Sequence, residues 1–275
     1  MTILVTGGAG YIGSHMVHEL VDAGEPVVVL DNLSTGFRFL VPGKVPFVAG
    51  STGDRELVAQ TLRRHGVTAI IHFAASIVVP DSVRDPLAYY SNNTMNTCAL
   101  LDVAIKAGVL QFIFSSTAAV YGNAEHVPLR EDAPTAPISP YGTSKLMSEI
   151  MLHDAGTAYG LRFVVLRYFN VAGADPKLRT GQSSPAATHL IKVACEAALG
   201  KRPKIDVASG VRFLVASRPG HVYQSPPGVE FDRIDDIEVP ISSSEIRRAL
   251  ASRQSPAGLG AAVLNYAVSH GLYGA

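Results

Sequence analysis

The sequence has no tryptophan and only two cysteines among its 275 residues. That excludes a disulfide-stapled scaffold. Cys98 and Cys195 both fall in apolar, helix-like stretches, so they read as buried free thiols of a protein from a reducing cytosol. Charge of one sign is equally lacking: Lys+Arg and Asp+Glu are both 23. A balanced chain has no electrostatic footprint for nucleic acid or for an anionic membrane. Nothing approaches the run of roughly 20 apolar residues that a membrane helix needs. No basic segment precedes an apolar stretch at the start, so no signal peptide is expected and the predicted location is the cytoplasm. The nine histidines are scattered, without cysteine or acidic partners at ligand spacing, and no metal site is expected. Internal repeats and low-complexity tracts are missing too. A chain of this length can bury a substantial core in one or two domains.

What is present alternates. Short β-branched runs are predicted as strands at Thr2–Thr6, Val27–Asp31, Pro46–Ala49, Ala69–Ala74, Gln111–Ser115 and Phe163–Tyr168. Helix-periodic stretches lie between or after them at Ile12–Ala23, Arg55–His65, Pro86–Ala107, Pro140–Tyr159 and Ala187–Leu199. Most of the strands are apolar throughout, as in a parallel sheet with helices on both faces. The expected fold class is therefore α/β, a doubly wound parallel sheet.

The first strand runs into Gly7-Gly8-Ala9-Gly10-Tyr11-Ile12-Gly13, and a helix pattern follows at once. Strand, glycine turn and helix form the layout that receives a dinucleotide pyrophosphate on a helix N-terminus. Asp31 closes the second strand, where a carboxylate hydrogen-bonds the adenosine ribose and repels a 2′-phosphate, favouring NAD over NADP. Taken alone, Asp31-Asn32 also suits an ordinary turn. Small residues at Phe73-Ala74-Ala75 would let a cofactor lie across the carboxyl end of the fourth strand. Tyr141 and Lys145 are four residues apart on a predicted helix, so hydroxyl and ammonium share a face, and a nearby cation lowers a phenol pKa. A packed Tyr beside a solvated Lys is the plainer reading of that spacing. Ser115-Ser116-Thr117 ends the fifth strand; a hydroxyl there can bond the oxygen whose proton the Tyr removes, or can simply cap a turn.

Together these residues resemble the extended short-chain dehydrogenases/reductases. Longer strings narrow the resemblance to the UDP-glucose 4-epimerases over about residues 1–207: Gly10-Tyr11-Ile12-Gly13-Ser14-His15, Leu30-Asp31-Asn32-Leu33, Ile71-His72-Phe73-Ala74, Phe114 to Gly122, and Leu166-Arg167-Tyr168-Phe169-Asn170. The related 4,6-dehydratases carry Asp-Glu where Ala118 and Ala119 stand, which argues against dehydration. The resemblance implies a Rossmann domain over 1–170, the start of a nucleotide-sugar region over 171–207, and tightly held NAD. It implies that Thr117, Tyr141 and Lys145 are catalytic, with hydride leaving C4 of a UDP-hexose and returning to the opposite face. It implies cofactor contacts from Gly7, Gly10, Tyr11, Ile12, Gly13, Asp31, Asn32, Ser51, Phe73, Ala74, Ala75, Asn92, Tyr141, Lys145 and Phe169. Thr117, Tyr141, Asn170 and Leu190 would face the UDP-sugar. A homodimer through the Pro86–Ala107 and Pro140–Tyr159 helices is also implied. Ser51 and Ile77 depart from the family's Asp and Lys, which predicts redistributed cofactor contacts.

After Lys204-Ile205-Asp206-Val207 the epimerase pattern stops, and the residues that clamp the uridine diphosphate are not recognisable. Residues 208–275 instead resemble the C-terminal part of nicotinate-nucleotide adenylyltransferases, through Phe213 to Gly220, Ile241-Ser242-Ser243-Ser244-Glu245-Ile246-Arg247 and Tyr266 to Gly274. Ser242-x-x-Glu245 is equally a capping box. The His-x-Gly-His that adenylyl transfer needs is missing. The chain thus reads as a chimera in which an unrelated α/β tail replaces part of the substrate domain. Val211–Ser217 is expected to pair with an edge of the first domain or to remain an exposed strand. Loss of the clamp leaves a second reading, an NAD-binding module without turnover.

Overall fold

The computed structural model describes residues 1–124 and 128–184, and beyond them only 192, 193, 196, 213–216 and 231–234. The chain divides into two units, Met1–Pro203 and Lys204–Ala275. In the first, six parallel strands form one sheet in the order β3-β2-β1-β4-β5-β6. They are β1 (Thr2–Thr6), β2 (Val27–Asp31), β3 (Phe47–Ala49), β4 (Val67–His72), β5 (Gln111–Ser115) and β6 (Arg162–Leu166). Helices α1 (Tyr11–Asp22), α2 (Arg55–His65), α3 (Val79–Arg84), α4 (Pro86–Tyr89), α5 (Asn96–Lys106) and α6 (Pro140–Tyr159) connect them. The strand order reverses between β1 and β4, so a crevice opens at the carboxyl ends of those two strands.

The alternation of side chains along each strand divides the core in two. Leu4, Val28, Leu30, Ile70, Phe112 and Phe114 pack on one face with Val58, Leu100 and Leu152 from α2, α5 and α6. Ile3, Val5, Val27, Val29, Ala69 and Ile71 pack on the other with Val17 from α1. Both faces of β1 and β2 are covered, which is why these strands are apolar throughout. The edge strand β6 differs: its residues alternate between exposed and half-buried.

Local signals set the helix ends. Asp54 caps α2 by accepting from the Leu57 amide at 3.0 Å, and Gly66 closes it in the left-handed region with φ 58°. Ser139 caps α6 through the Gly142 amide at 3.2 Å, Pro140 occupies the first turn and Gly160 ends the helix at φ 72°. The stretch expected as one helix from Pro86 to Ala107 is broken in its middle. Tyr90–Met95 forms a π-helical turn between α4 and α5. Its cause is polar: the Asn93 side chain bonds the Ser76 amide at 2.8 Å, the Ser76 carbonyl at 3.0 Å and Ser144 Oγ at 3.1 Å, drawing that turn towards its neighbours. Cys98, expected to be buried, lies on the exposed face of α5, because Thr97, Ala99, Leu100 and Leu101 take the covered positions. Cys195 lies outside the described residues, as do most of the predicted helix Ala187–Leu199 and the loop around Gln224–Gly228.

In the second unit β7 (Phe213–Ala216) pairs in parallel with β8 (Phe231–Ile234). This corrects the expectation that Val211–Ser217 would pair with an edge of the first domain or remain an exposed, unpaired strand. Its backbone partner lies within the tail, in a Phe-Asp-Arg-Ile stretch too short and too charged to read as a strand.

The glycine turn after β1 is the tightest part of the fold. A Cβ on Gly13 would lie 2.1 Å from the Gly7 carbonyl oxygen, a backbone atom with nowhere to go. Gly24 also has positive φ, at +78°, but open space around it. Gly13→Ala is therefore expected to cost at least about 3 kcal/mol in urea unfolding. Gly24→Ala should cost only about 1–2 kcal/mol, the backbone term alone.

Candidate active site

The site is assembled at the carboxyl ends of β1, β2, β4 and β5. Gly7 leaves β1 with φ +69°, and a Cβ there would sit 2.6 Å from the Ala74 amide nitrogen, so loop and β4 end are in backbone contact. No side chain caps the N-terminus of α1, which starts at Tyr11 and Ile12 after Gly10. Asp31 is buried at the end of β2, and its carboxylate accepts from the Ala9 amide at 2.9 Å and the Leu33 amide at 2.7 Å. It thereby ties the glycine turn to the β2 end and holds Leu33 at φ 58°. Asn32 accepts from the Ser34 amide at 3.0 Å, and Ser51 Oγ from the Gly53 amide at 3.1 Å. Phe73, Ala74 and Ala75 are half-buried at the end of β4. Asn92 donates to Ser76 Oγ at 2.9 Å from the π-helical turn.

Tyr11 and the helix it begins also hold the segment after β6. The Tyr11 hydroxyl donates to the Gly173 carbonyl at 2.6 Å, and Ser14 and Thr180 share a hydroxyl hydrogen bond of 2.5 Å. Arg179 and Lys177 pair with Asp22, and Arg179 with Asp175. Hydrogen bonds from Arg179 and Lys177 bring the Asp22 carboxyl down to about 2.

Tyr141 and Lys145 project from the first turns of α6 towards the end of β5. Tyr141 lies near the Thr117 hydroxyl, whose Oγ accepts from the Ala119 amide at 3.1 Å. Lys145 is 2% exposed. Its Nζ donates to the Ser115 carbonyl at 2.9 Å and lies 5.0 Å from the centre of the Phe114 ring. Burial pulls its pKa down to about 7, against the opposing charge of Glu149. The expectation that the ammonium would lower the Tyr141 pKa is not met in this geometry. Burial raises Tyr141, the Thr117 hydroxyl offsets part of that rise, and the ammonium is directed at β5 instead. Burial raises the pKa of Tyr89 and of Tyr168, and the nearby Tyr141 charge adds to both.

The structure does not bring every predicted residue to this point. Phe169 is 72% exposed and Asn170 is also at the surface, while Leu190 lies outside the described residues. Ile77, at the position where the resemblance leads one to expect a cation, is exposed. An open cavity of about 750 Å³ lies instead between α6 and β6, lined in part by Phe169, Tyr168, Arg167, Glu149 and Tyr121 and by none of Thr117, Tyr141 and Lys145.

Residues that the spacing did not flag form the support. His72 is buried between Thr6, at 2.6 Å from Nδ1, and Thr97, at 2.9 Å from Nε2. Burial, with the Lys145 charge adding to it, holds His72 down at about 3. Thr97 in turn donates to the Asn93 carbonyl, and Ser144 donates to the Tyr141 carbonyl at 2.7 Å. A polar chain thus runs from β1 through β4 and the π-helical turn to the helix carrying Tyr141. On the far side of β5, Glu149 accepts from Ser116 and from Arg167, and Arg167 also donates to the Tyr121 hydroxyl at 2.9 Å. His72, Ser116, Tyr121 and Arg167 lay in the strings that carried the resemblance, but nothing in their spacing pointed to a supporting network.

Residues 3–212 match the sequence pattern of the family described as "NAD dependent epimerase/dehydratase family". The chain belongs to that family. The UDP-glucose 4-epimerase of Azospirillum brasilense is 62% identical over 205 residues, which are 74% of this chain and 59% of that protein. A crystal structure of UDP-glucose 4-epimerase from Brucella ovis in complex with NAD superposes with a TM-score of 0.72 at 42% identity, covering 78% of this chain and 63% of that one. The Thermotoga maritima enzyme with UDP-glucose gives a TM-score of 0.62 at 41% identity over 66% of this chain and 60% of that one. The chain thus spans about three-fifths of the length of these relatives. Among the described residues no helix is long and apolar enough to cross a membrane, and no cluster of ligand side chains could hold a metal ion.

The His72 environment sets an acid limit on the fold. Its folded pKa lies below the unfolded value of about 6.5, so its contribution is present above pH 6.5 and is lost as pH falls towards 3. Urea unfolding between pH 6 and 4 should lose up to about 1.4 kcal/mol per pH unit from this group. In His72→Asn that component of the slope should vanish, although the variant is less stable at pH 7.

Proposed function

We propose that this protein is an NAD-dependent epimerase acting at C4 of a UDP-hexose, interconverting UDP-glucose and UDP-galactose. The observation that carries the reading is that Thr117 and Tyr141 come together at the carboxyl end of β5, close enough for the threonine hydroxyl to offset part of the burial of Tyr141, with Lys145 buried one turn behind. The named relatives, one holding NAD and one UDP-glucose, support it.

The residues fit the dinucleotide. Gly7, Gly10 and Gly13 leave the turn without side chains, the α1 N-terminus carries no side-chain cap, and Asp31 stands at the β2 end. Gly7 to Ile12 and Gly13 would meet the pyrophosphate, Asp31 and Asn32 the adenosine ribose, and Ser51 the adenine side. Phe73 to Ala75, Asn92, Lys145 and Phe169 would complete the contacts. When bound, NAD supplies the acceptor and donor of the C4 hydride. Tyr141 takes the proton from the 4-hydroxyl and later returns it, and Thr117 bonds the same oxygen and fixes its distance. Lys145, one turn along α6 with its ammonium turned to the end of β5, would hold the cofactor ribose. Asn170 and Leu190 are assigned to the UDP-sugar. Ala118 and Ala119, where a dehydratase needs carboxyls, leave no acid or base for removal of water.

Exposed Leu87, Met95, Met147 and Ile150 on α4 to α6 support a homodimer through these helices. An exposed free thiol at Cys98 is consistent with a cytoplasmic setting.

The chain purified as it stands should release NAD on denaturation and interconvert UDP-glucose and UDP-galactose. Tyr141→Phe should keep the bound NAD and lower kcat by at least about a hundredfold. Bound NAD without interconversion would reduce the protein to a dinucleotide-binding module. Failure to bind NAD at all would overturn both readings.

A further inference from the structure

Lys145 is buried without a carboxylate against it: its hydrogen bond goes to a backbone carbonyl, and its other near neighbour is the Phe114 ring. A buried ammonium in such surroundings releases its proton readily. The described groups facing this region from the neighbouring elements are few. From β4 comes His72, neutral between two threonines. The end of β6 contributes Tyr168, bonded to Ser115, and α4 contributes Tyr89, bonded to the Val78 carbonyl. On α6 itself there are Tyr141 before Lys145 and Glu149 after it.

Glu149 is the only carboxylate in that set. Tyr141, Lys145 and Glu149 are spaced i, i+4, i+8, one column on the inner face of α6. Glu149 is 6% exposed, a position that a carboxylate does not occupy without strong partners. It has them. Arg167 donates through Nε at 3.0 Å and Nη2 at 2.6 Å to Oε2, and Ser116 bonds Oε1. The guanidinium is also stacked 5.0 Å from the Tyr121 ring centre and bonded to its hydroxyl. His153, the next residue on the column, is exposed. Ser116 and Arg167, just past the ends of β5 and β6, thus hold a buried carboxylate one turn along α6 from Lys145.

We propose that Glu149 is a positioning residue that keeps the Lys145 ammonium protonated at neutral pH, and that Ser116 and Arg167 hold its carboxylate for that purpose. Glu149 touches neither substrate nor cofactor and acts only through Lys145. The charge coupling is a property of this chain alone. Its catalytic meaning rests on the reading of Tyr141 and Lys145 given above.

The test is the titration of Lys145 in the full chain labelled with 13C and 15N lysine, its side-chain signal assigned by loss in Lys145→Arg. In Glu149→Gln, which keeps a hydrogen-bonding group of the same shape, Lys145 should lose its proton at least about one pH unit lower, a tenfold weaker hold on the proton. Arg167→Gln removes the opposing charge and should leave the titration unmoved or shift it upward. Local loosening of the fold would instead move both variants the same way. Should Glu149→Gln fold poorly with Arg167 left unpaired, the double variant Glu149→Gln/Arg167→Gln removes both charges and should still titrate below the wild type, since of the two only the carboxylate shares the Lys145 face of α6. An unchanged Lys145 titration in the folded Glu149 variants, or equal shifts in the Glu149 and Arg167 variants, overturns the proposal. If the chain also interconverts UDP-hexoses, the alkaline limb of kcat should move to lower pH in Glu149→Gln by the amount seen in the titration. A Lys145 shift without interconversion would sink the proposed activity and keep the coupling; interconversion without the shift would do the reverse.

Discussion

Everything in the first unit depends on how closely two backbones meet at the reversal point of the sheet. Between β1 and β4 the connections leave in opposite directions, and the turn after β1 must pass over the end of β4 without pushing the strands apart. Side chains would do that, since Cβ atoms at Gly7 and Gly13 would each strike backbone within 3 Å. Glycine removes the obstruction, and Asp31 then locks the turn from the neighbouring strand through the Ala9 amide. The same contact that lets the sheet close brings a helix N-terminus to the crevice, so the packing requirement and the anion-binding site have one cause.

Around that crevice the fold buries an unusual set of polar groups for a core of aliphatic side chains. His72, Asn93, Ser144, Lys145 and Glu149 are all covered. Every buried side-chain polar atom among the described residues has a partner, which is the condition under which such burial is tolerable. The partners come from different elements, so each hydrogen bond also fixes a distance between elements. Asn93 shows this most directly. It joins the loop after β4 to α6, and the helix containing it widens to a π turn to do so.

The family relationship accounts for residues 3–212, and there the chain carries the parts that would hold a dinucleotide and move a proton. The tail folds by a different logic, with β7 and β8 pairing to each other in parallel. Glu149, on the same face of α6 as Tyr141 and Lys145, pairs there with Arg167.

The sequence by itself determined the strand and helix order, the parallel class of the sheet and the glycine turn, and it singled out Thr117, Tyr141 and Lys145 as the candidate set. These are local matters, set by periodicity, by the chemistry of turns and by spacing along one helix. Tertiary structure decided what spacing cannot reach. It sent the Lys145 ammonium to the Ser115 carbonyl instead of towards Tyr141, left Phe169 and Asn170 at the surface, put Cys98 outside, and broke the α4–α5 helix at Asn93. In each case the deciding partner is remote in sequence or the deciding fact is burial. A hydrogen bond across 51 residues, such as Asn93 to Ser144, and the dielectric around an ammonium exist only once the elements have packed.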